Sequence, residues 1–136
     1  MKFKFLEHTA DVKFQAEGKS LEEAFENAGY ALKEVMFRKI KIKARIKKKI
    51  KVSGKDLESL LYNFLEEILF LLDAENFIFS KIKKIKIKNN KLEAEILGDK
   101  ASNYKFSNEV KAVTYNEMFV RQISSRKFAV QVVLDV

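Results

Sequence analysis

Apolar residues follow two rhythms along this chain, and the switches between them mark its elements. Over 21–36, Leu21, Ala24, Phe25, Ala28, Ala31, Leu32, Val35 and Met36 recur at three- and four-residue steps, the stripe of an amphipathic helix. Ser20 opens it, and Glu23 three residues later predicts a capping box, each side chain accepting the other residue's free backbone N–H. A second stripe, Leu57, Leu60, Leu61, Phe64, Leu65, Ile68, Leu69 and Leu72, predicts a helix over 57–73 capped by Asp56.

Elsewhere the period is two, as in strands buried on one face. Residues 2–7 and 12–17 read as short strands flanking a turn, "HTAD". The run 40–52 reads as a strand or a strand pair. Residues 77–88 and 91–97 alternate on either side of Asn89–Asn90, a hairpin turn signal because asparagine tolerates positive φ. The stretch 99–108 has no period and reads as a loop, and strands follow at about 109–115, 117–123 and 127–134. Without proline, and with only four glycines, no linker interrupts the pattern, so residues 1–136 are expected to form one domain. The expected fold is α+β, two amphipathic helices packed on a largely antiparallel sheet of seven to eight strands.

Charge adds a question. The net charge is +8, yet 23 of the 27 basic residues are lysine and only Arg38, Arg45, Arg121 and Arg126 are arginine. Arginine forks onto phosphates and base edges, whereas lysine is a hydrated point charge. Much of the lysine alternates with isoleucine, as in "KIKIKARIKKKIKV" and "KIKKIKIK". That is the pattern of solvated strand faces, and it also leaves open a basic surface that meets RNA.

The chemistry available is narrow. There is no cysteine, which excludes thiolate metal sites and cysteine nucleophiles and suits a reducing cytoplasm. The amino terminus lacks the apolar run of a signal peptide, and 57–72 is broken by Glu58, Asn63, Glu66 and Glu67, too polar for a bilayer. No glycine-rich phosphate loop and no G-x-S-x-G elbow occurs. His8 is the only histidine, so histidine-based zinc catalysis lacks ligands; it reads as a turn-forming residue or as half of a His8–Asp11 pair. Asp11, Asp135 and the Val136 carboxylate are oxygen donors near strand ends. If the first and last strands are neighbours, they converge as ligands for a hard cation such as Ca²⁺, Mg²⁺ or Mn²⁺.

Five blocks stand in a characteristic order: "HTADV" (8–12), "SLEEAFENAGYALKEVM" (20–36), "DLESLLYNFLEEILFLLD" (56–73), "VKAVTYNEM" (110–118) and the closing "VQVVLDV" (130–136). Together they resemble the archease family over essentially the whole chain. The resemblance implies a small α+β accessory protein rather than an enzyme, with no catalytic residues of its own. It implies an activator that promotes guanylylation of the tRNA-splicing RNA ligase and its multiple turnover, with tRNA met only indirectly. A chaperone-like or tRNA-binding modulator of a tRNA-modifying enzyme is the alternative it leaves. It also implies a divalent-metal site at Asp11, Asp135 and Val136, with Glu34, His8 and Asn116 as accessory positions. Glu34 stands where aspartate is common in the family, Asn116 where histidine is common, and 99–108 lacks the family's loop histidine.

Overall fold

The computed structural model describes residues 2–7 and 10–136. Its elements run β1 (Phe3–Leu6), β2 (Val12–Gly18), α1 (Leu21–Phe37), β3 (Ile46–Ser53), α2 (Leu57–Glu75), β4 (Phe77–Lys88), β5 (Lys91–Lys100), a short 3₁₀ turn (Ala101–Asn103), β6 (Ala112–Ser124) and β7 (Lys127–Asp135). All strand pairs are antiparallel. The α+β class and the two helices are as expected. The strands, however, form two sheets rather than one, ordered β1-β2-β7-β6 and β3-β5-β4.

The helical layer joins the sheets. α1 packs on β2 and β7 of the four-stranded sheet and on β4 of the other, while α2 packs on β6 and on β3 and β4. A helix between two sheets needs more than one apolar stripe. α1 accordingly buries Phe25, Leu32, Val35, Met36 and Phe37, together with the small residues Ala24, Ala28, Gly29 and Ala31 that allow close approach. Phe25 of α1 and Phe64 of α2 meet at 6.3 Å between ring centroids, in the middle of the core.

The helix starts follow the sequence with one refinement. Ser20 Oγ accepts the Glu23 N–H at 3.1 Å, but the Glu23 carboxylate accepts from Lys19, not from Ser20. The reciprocal box belongs to α2, where Asp56 accepts the Ser59 N–H at 2.7 Å and Ser59 Oγ accepts the Asp56 N–H at 3.1 Å. Asn89 and Asn90 adopt φ of 53° and 57°, the left-handed pair that a two-residue hairpin requires.

Two strand boundaries differ from the pattern. Residues 40–45 are irregular, since the ladder of β3 begins only at Ile46 opposite Gly98. The predicted strands 109–115 and 117–123 are one strand, β6, bulged between Thr114 and Phe119, with Glu117 at φ 52°. The bulge is fastened from two strands: Gln131 Nε2 of β7 donates to the Glu117 carbonyl at 2.7 Å, and Lys13 of β2 pairs with the Glu117 carboxylate at 3.0 Å. A bulge adds residues to one strand only, and so interrupts alternation without ending the strand.

Candidate functional site

β2 pairs with β7 through Val12 opposite Leu134, and continuing that register by one residue sets Asp11 opposite Asp135. The neighbour of the last strand is thus the second strand, with β1 on the sheet edge, and Asp11 lies in the connection between β1 and β2. Asp135 is held from its other side, where its carbonyl accepts the Lys111 N–H at 2.8 Å and it faces Ala112 of β6. Val136 follows at the exposed strand end.

The same end of the molecule carries the carboxyl end of α1. Arg38 ends the helix by turning to φ 53° and ψ −137°, a conformation that costs a non-glycine residue roughly 1–3 kcal/mol. The last four helical carbonyls lack partners within the helix. Here each finds one. Glu34 accepts the Arg38 N–H at 2.7 Å, and Phe37 accepts the Ile40 N–H at 3.3 Å. Met36 accepts the Ser107 and Asn108 N–H groups at 2.7 and 3.3 Å, and Val35 accepts Asn108 Nδ2 at 3.2 Å. Stacking of Phe106 on Phe37, 4.6 Å between centroids, fixes the loop that supplies these donors.

Between these parts lies a cavity of about 670 Å³. Phe5, Leu6 and Glu7 line it from the end of β1, Asp11 and Val12 from the start of β2, Glu34, Val35, Arg38 and Lys39 from the end of α1, and Asn108 from the capping loop. The carboxyl end of a helix is the negative end of its dipole, and Glu34 and Asp11 add carboxylates there. Arg38 and Lys39 bring positive charge to the same walls.

The structure brings Asp11 and Glu34 to one cavity, whereas Asp135 and Val136 do not line it, and Asp135 comes opposite Asp11 only when the β2–β7 register is extended one step past Val12 and Leu134. It does not bring Asn116 there: Asn116 lies in the β6 bulge, exposed, with its N–H donating to Thr114 Oγ1 at 3.3 Å. His8 lies outside the described residues. No group of three or more His, Cys, Asp or Glu side chains close enough to hold a metal occurs among the described residues. The donor chemistry is nonetheless that of a hard cation, with carboxylate oxygens at a negative helix end and no sulfur ligand. Sequence reasoning missed Phe5, Glu7, Arg38, Lys39 and Asn108. Only Glu7, beside the "HTAD" turn, had a local signal; the others are placed by the helix end and the loop packed on it.

No helix among the described residues is long and apolar enough to cross a membrane. The model of the archease protein family (MTH1598/TM1083) matches residues 3–136. Protein archease of Pyrococcus abyssi is 40% identical over 136 residues, covering 96% of this chain and 95% of that protein. Protein archease of Sulfurisphaera tokodaii is 43% identical over 120 residues, covering 86% of each. The solution structure of protein 1598 of Methanobacterium thermoautotrophicum superposes with a TM-score of 0.83 at 36% identity, covering 99% of both chains. The crystal structure of an archease from Thermotoga maritima shares the fold, with a TM-score of 0.68 at 22% identity over 98% of this chain and 96% of that one. With its fold and nearly its whole length matched, the chain belongs to the archease family.

Proposed function

We propose that this chain is an accessory protein that activates a tRNA-splicing RNA ligase in the cytoplasm, and that it works through a divalent cation held at the Asp11 end of the four-stranded sheet. The observation that supports this reading most is the meeting of Asp11 and Glu34 at one cavity, with the β2–β7 register, extended by one step, directing Asp135 toward Asp11. Asp11, Asp135 and Val136 would hold the ion, with Glu34 as a neighbouring acceptor. A bound divalent ion supplies charge neutralisation for phosphoryl transfer, a reaction governed by positioning and electrostatics.

The remaining groups have roles of their own. Arg38 and Lys39 on the cavity wall would attract the phosphates of a nucleotide presented by the ligase. The capping loop 104–108 keeps the helix end, and hence Glu34 and Arg38, at a fixed distance from the strand ends. The test is RNA ligation with the cognate ligase limiting. Many product molecules per ligase are expected with the protein present and about one without it; equal yields would contradict the reading.

A further inference from the structure

The three-stranded sheet turns one face to the helices and the other to solvent, and its register sorts the lysines. Ile50, Leu92, Ala94, Ile96 and Ile82 are buried on the inner face. Between them, Lys47, Lys49 and Lys51 of β3 and Lys84, Lys86 and Lys88 of β4 alternate outward and are exposed. The intervening strand β5 contributes Glu93 and Glu95 to the same face, opposite Lys51 and Lys86 and opposite Lys49 and Lys84 respectively. Six ammonium groups thus flank two carboxylates.

Both carboxylates are already engaged. Glu95 pairs with Lys47 at 3.3 Å and Glu93 with Lys51 at 3.4 Å. The Lys47 ammonium, helped by Lys83 and Lys49, holds the Glu95 carboxyl below its usual range, a sign of the positive field on this face. Lys49, Lys84, Lys86 and Lys88 have no carboxylate within ion-pair distance among the described residues. A hollow of about 410 Å³ lies on the face, lined by Lys49, Lys51, Lys84 and Lys86 with Glu93 and Glu95 at its floor. Strand geometry spaces outward lysines roughly 7 Å apart along each strand and sets the β3 and β4 rows roughly 10 Å apart.

We infer that this face docks the phosphate backbone of structured RNA without reading its sequence. A protein partner fits it poorly, because lysine is depleted from protein interfaces and binding there centres on buried aromatic anchors. The exposed large hydrophobic residues, including Phe5, Phe70, Phe106, Tyr115 and Ile123, all lie outside β3, β4 and β5. Phosphates are recognised by cations, and lysine as a point charge positions a backbone without specifying bases. The face carries no arginine, so it has no fork for guanine edges. The choice of RNA over DNA rests on the proposed ligase function. It adds to that function a surface, separate from the Asp11 cavity, that brings the ligase's substrate along.

The experiment is fluorescence-anisotropy binding of labelled tRNA to the protein alone, between 50 and 200 mM salt as in counterion-release analysis. Three proteins are compared: wild type, the triple variant Lys49→Gln/Lys84→Gln/Lys86→Gln, and the control Lys4→Gln/Lys105→Gln/Lys111→Gln with the same loss of charge. Each lost phosphate contact lowers the log–log salt slope by about one. The face variant should lose two to three units of slope and bind about tenfold or more weaker, with an unchanged melting midpoint, while the control binds like wild type. An equal loss in the control, an unchanged slope in the face variant, absence of binding at 50 mM salt, or a duplex DNA of equal length binding more tightly than tRNA would each overturn the inference. Since no ligase is present, failure of the activator reading leaves this result untouched.

Discussion

Extending the β2–β7 ladder one step past Val12 and Leu134 sets Asp11 opposite Asp135, residues from opposite ends of the sequence. Like charges directly opposite in a sheet are destabilising, by roughly 0.2–1 kcal/mol. A cation between them would reverse the sign. In EDTA, Asp135→Asn should therefore melt at or slightly above the wild-type temperature. With millimolar Ca²⁺, Mg²⁺ or Mn²⁺, wild type should gain stability, up to about 2.7 kcal/mol at a hundred times the dissociation constant, and Asp135→Asn should not. Thermal melts with and without each ion check this.

The core between the helices should be sensitive, and the outer side of α2 should not. Phe64 is fully buried against Phe25, whereas Phe70 on the same helix is 53% exposed. Phe64→Ala is expected to cost about 3–5 kcal/mol. Phe70→Ala should stay within about 0.5 kcal/mol of wild type. Urea unfolding of the two variants measures the contrast.

Two glycines should respond in opposite directions. A Cβ on Gly29 would meet Ile82, Ile68 and Phe64 at 3.4–3.6 Å, ordinary contact distances, and the residue sits inside α1. Gly29→Ala should therefore stabilise the protein by about 0.5–1 kcal/mol, since alanine restricts the unfolded chain and favours the helix. A Cβ on Gly98 would overlap the Ile78 carbonyl in the adjoining strand, so Gly98→Ala should destabilise. Melting midpoints of both variants check the signs.

Acid should loosen the end of β5. The Tyr104 hydroxyl donates to Asp99 at 2.8 Å and the Lys100 N–H at 2.9 Å, with Arg45 nearby. Led by Tyr104, these groups hold the Asp99 carboxyl below its usual range although its burial acts the other way. A carboxyl depressed in the folded state adds stability above its unfolded pKa of about 3.9, and that stability fades as pH falls through the lower folded value. Tyr104→Phe should therefore be less stable at pH 7 and lose less than wild type on acidification below pH 4. Superimposable stability–pH curves would contradict this.

Local signals carried most of the elements. The helices announced themselves because a 3.6-residue stripe is a property of nearby residues, and Asn89–Asn90 because positive φ is set by the residue itself. The division into two sheets was not legible, because an alternating strand looks the same whichever neighbour it pairs with. For the same reason sequence could make the meeting of Asp11 and Asp135 only conditional on strand order. The break near Glu117 read as a strand end because a bulge and a turn interrupt alternation alike. Arg38 and Asn108 entered the cavity through contacts between a loop and a helix end more than seventy residues away in sequence, which leave no periodic trace.

On the proposed function, the carboxylates at the strand ends are what the ligase needs from this protein. Multiple-turnover RNA ligation with limiting cognate ligase, comparing wild type with Asp11→Ala and Asp135→Ala after each variant is shown to be folded, tests it most directly. Both variants are predicted to leave the ligase near a single turnover while wild type supports many. Full stimulation by both folded variants would contradict the account.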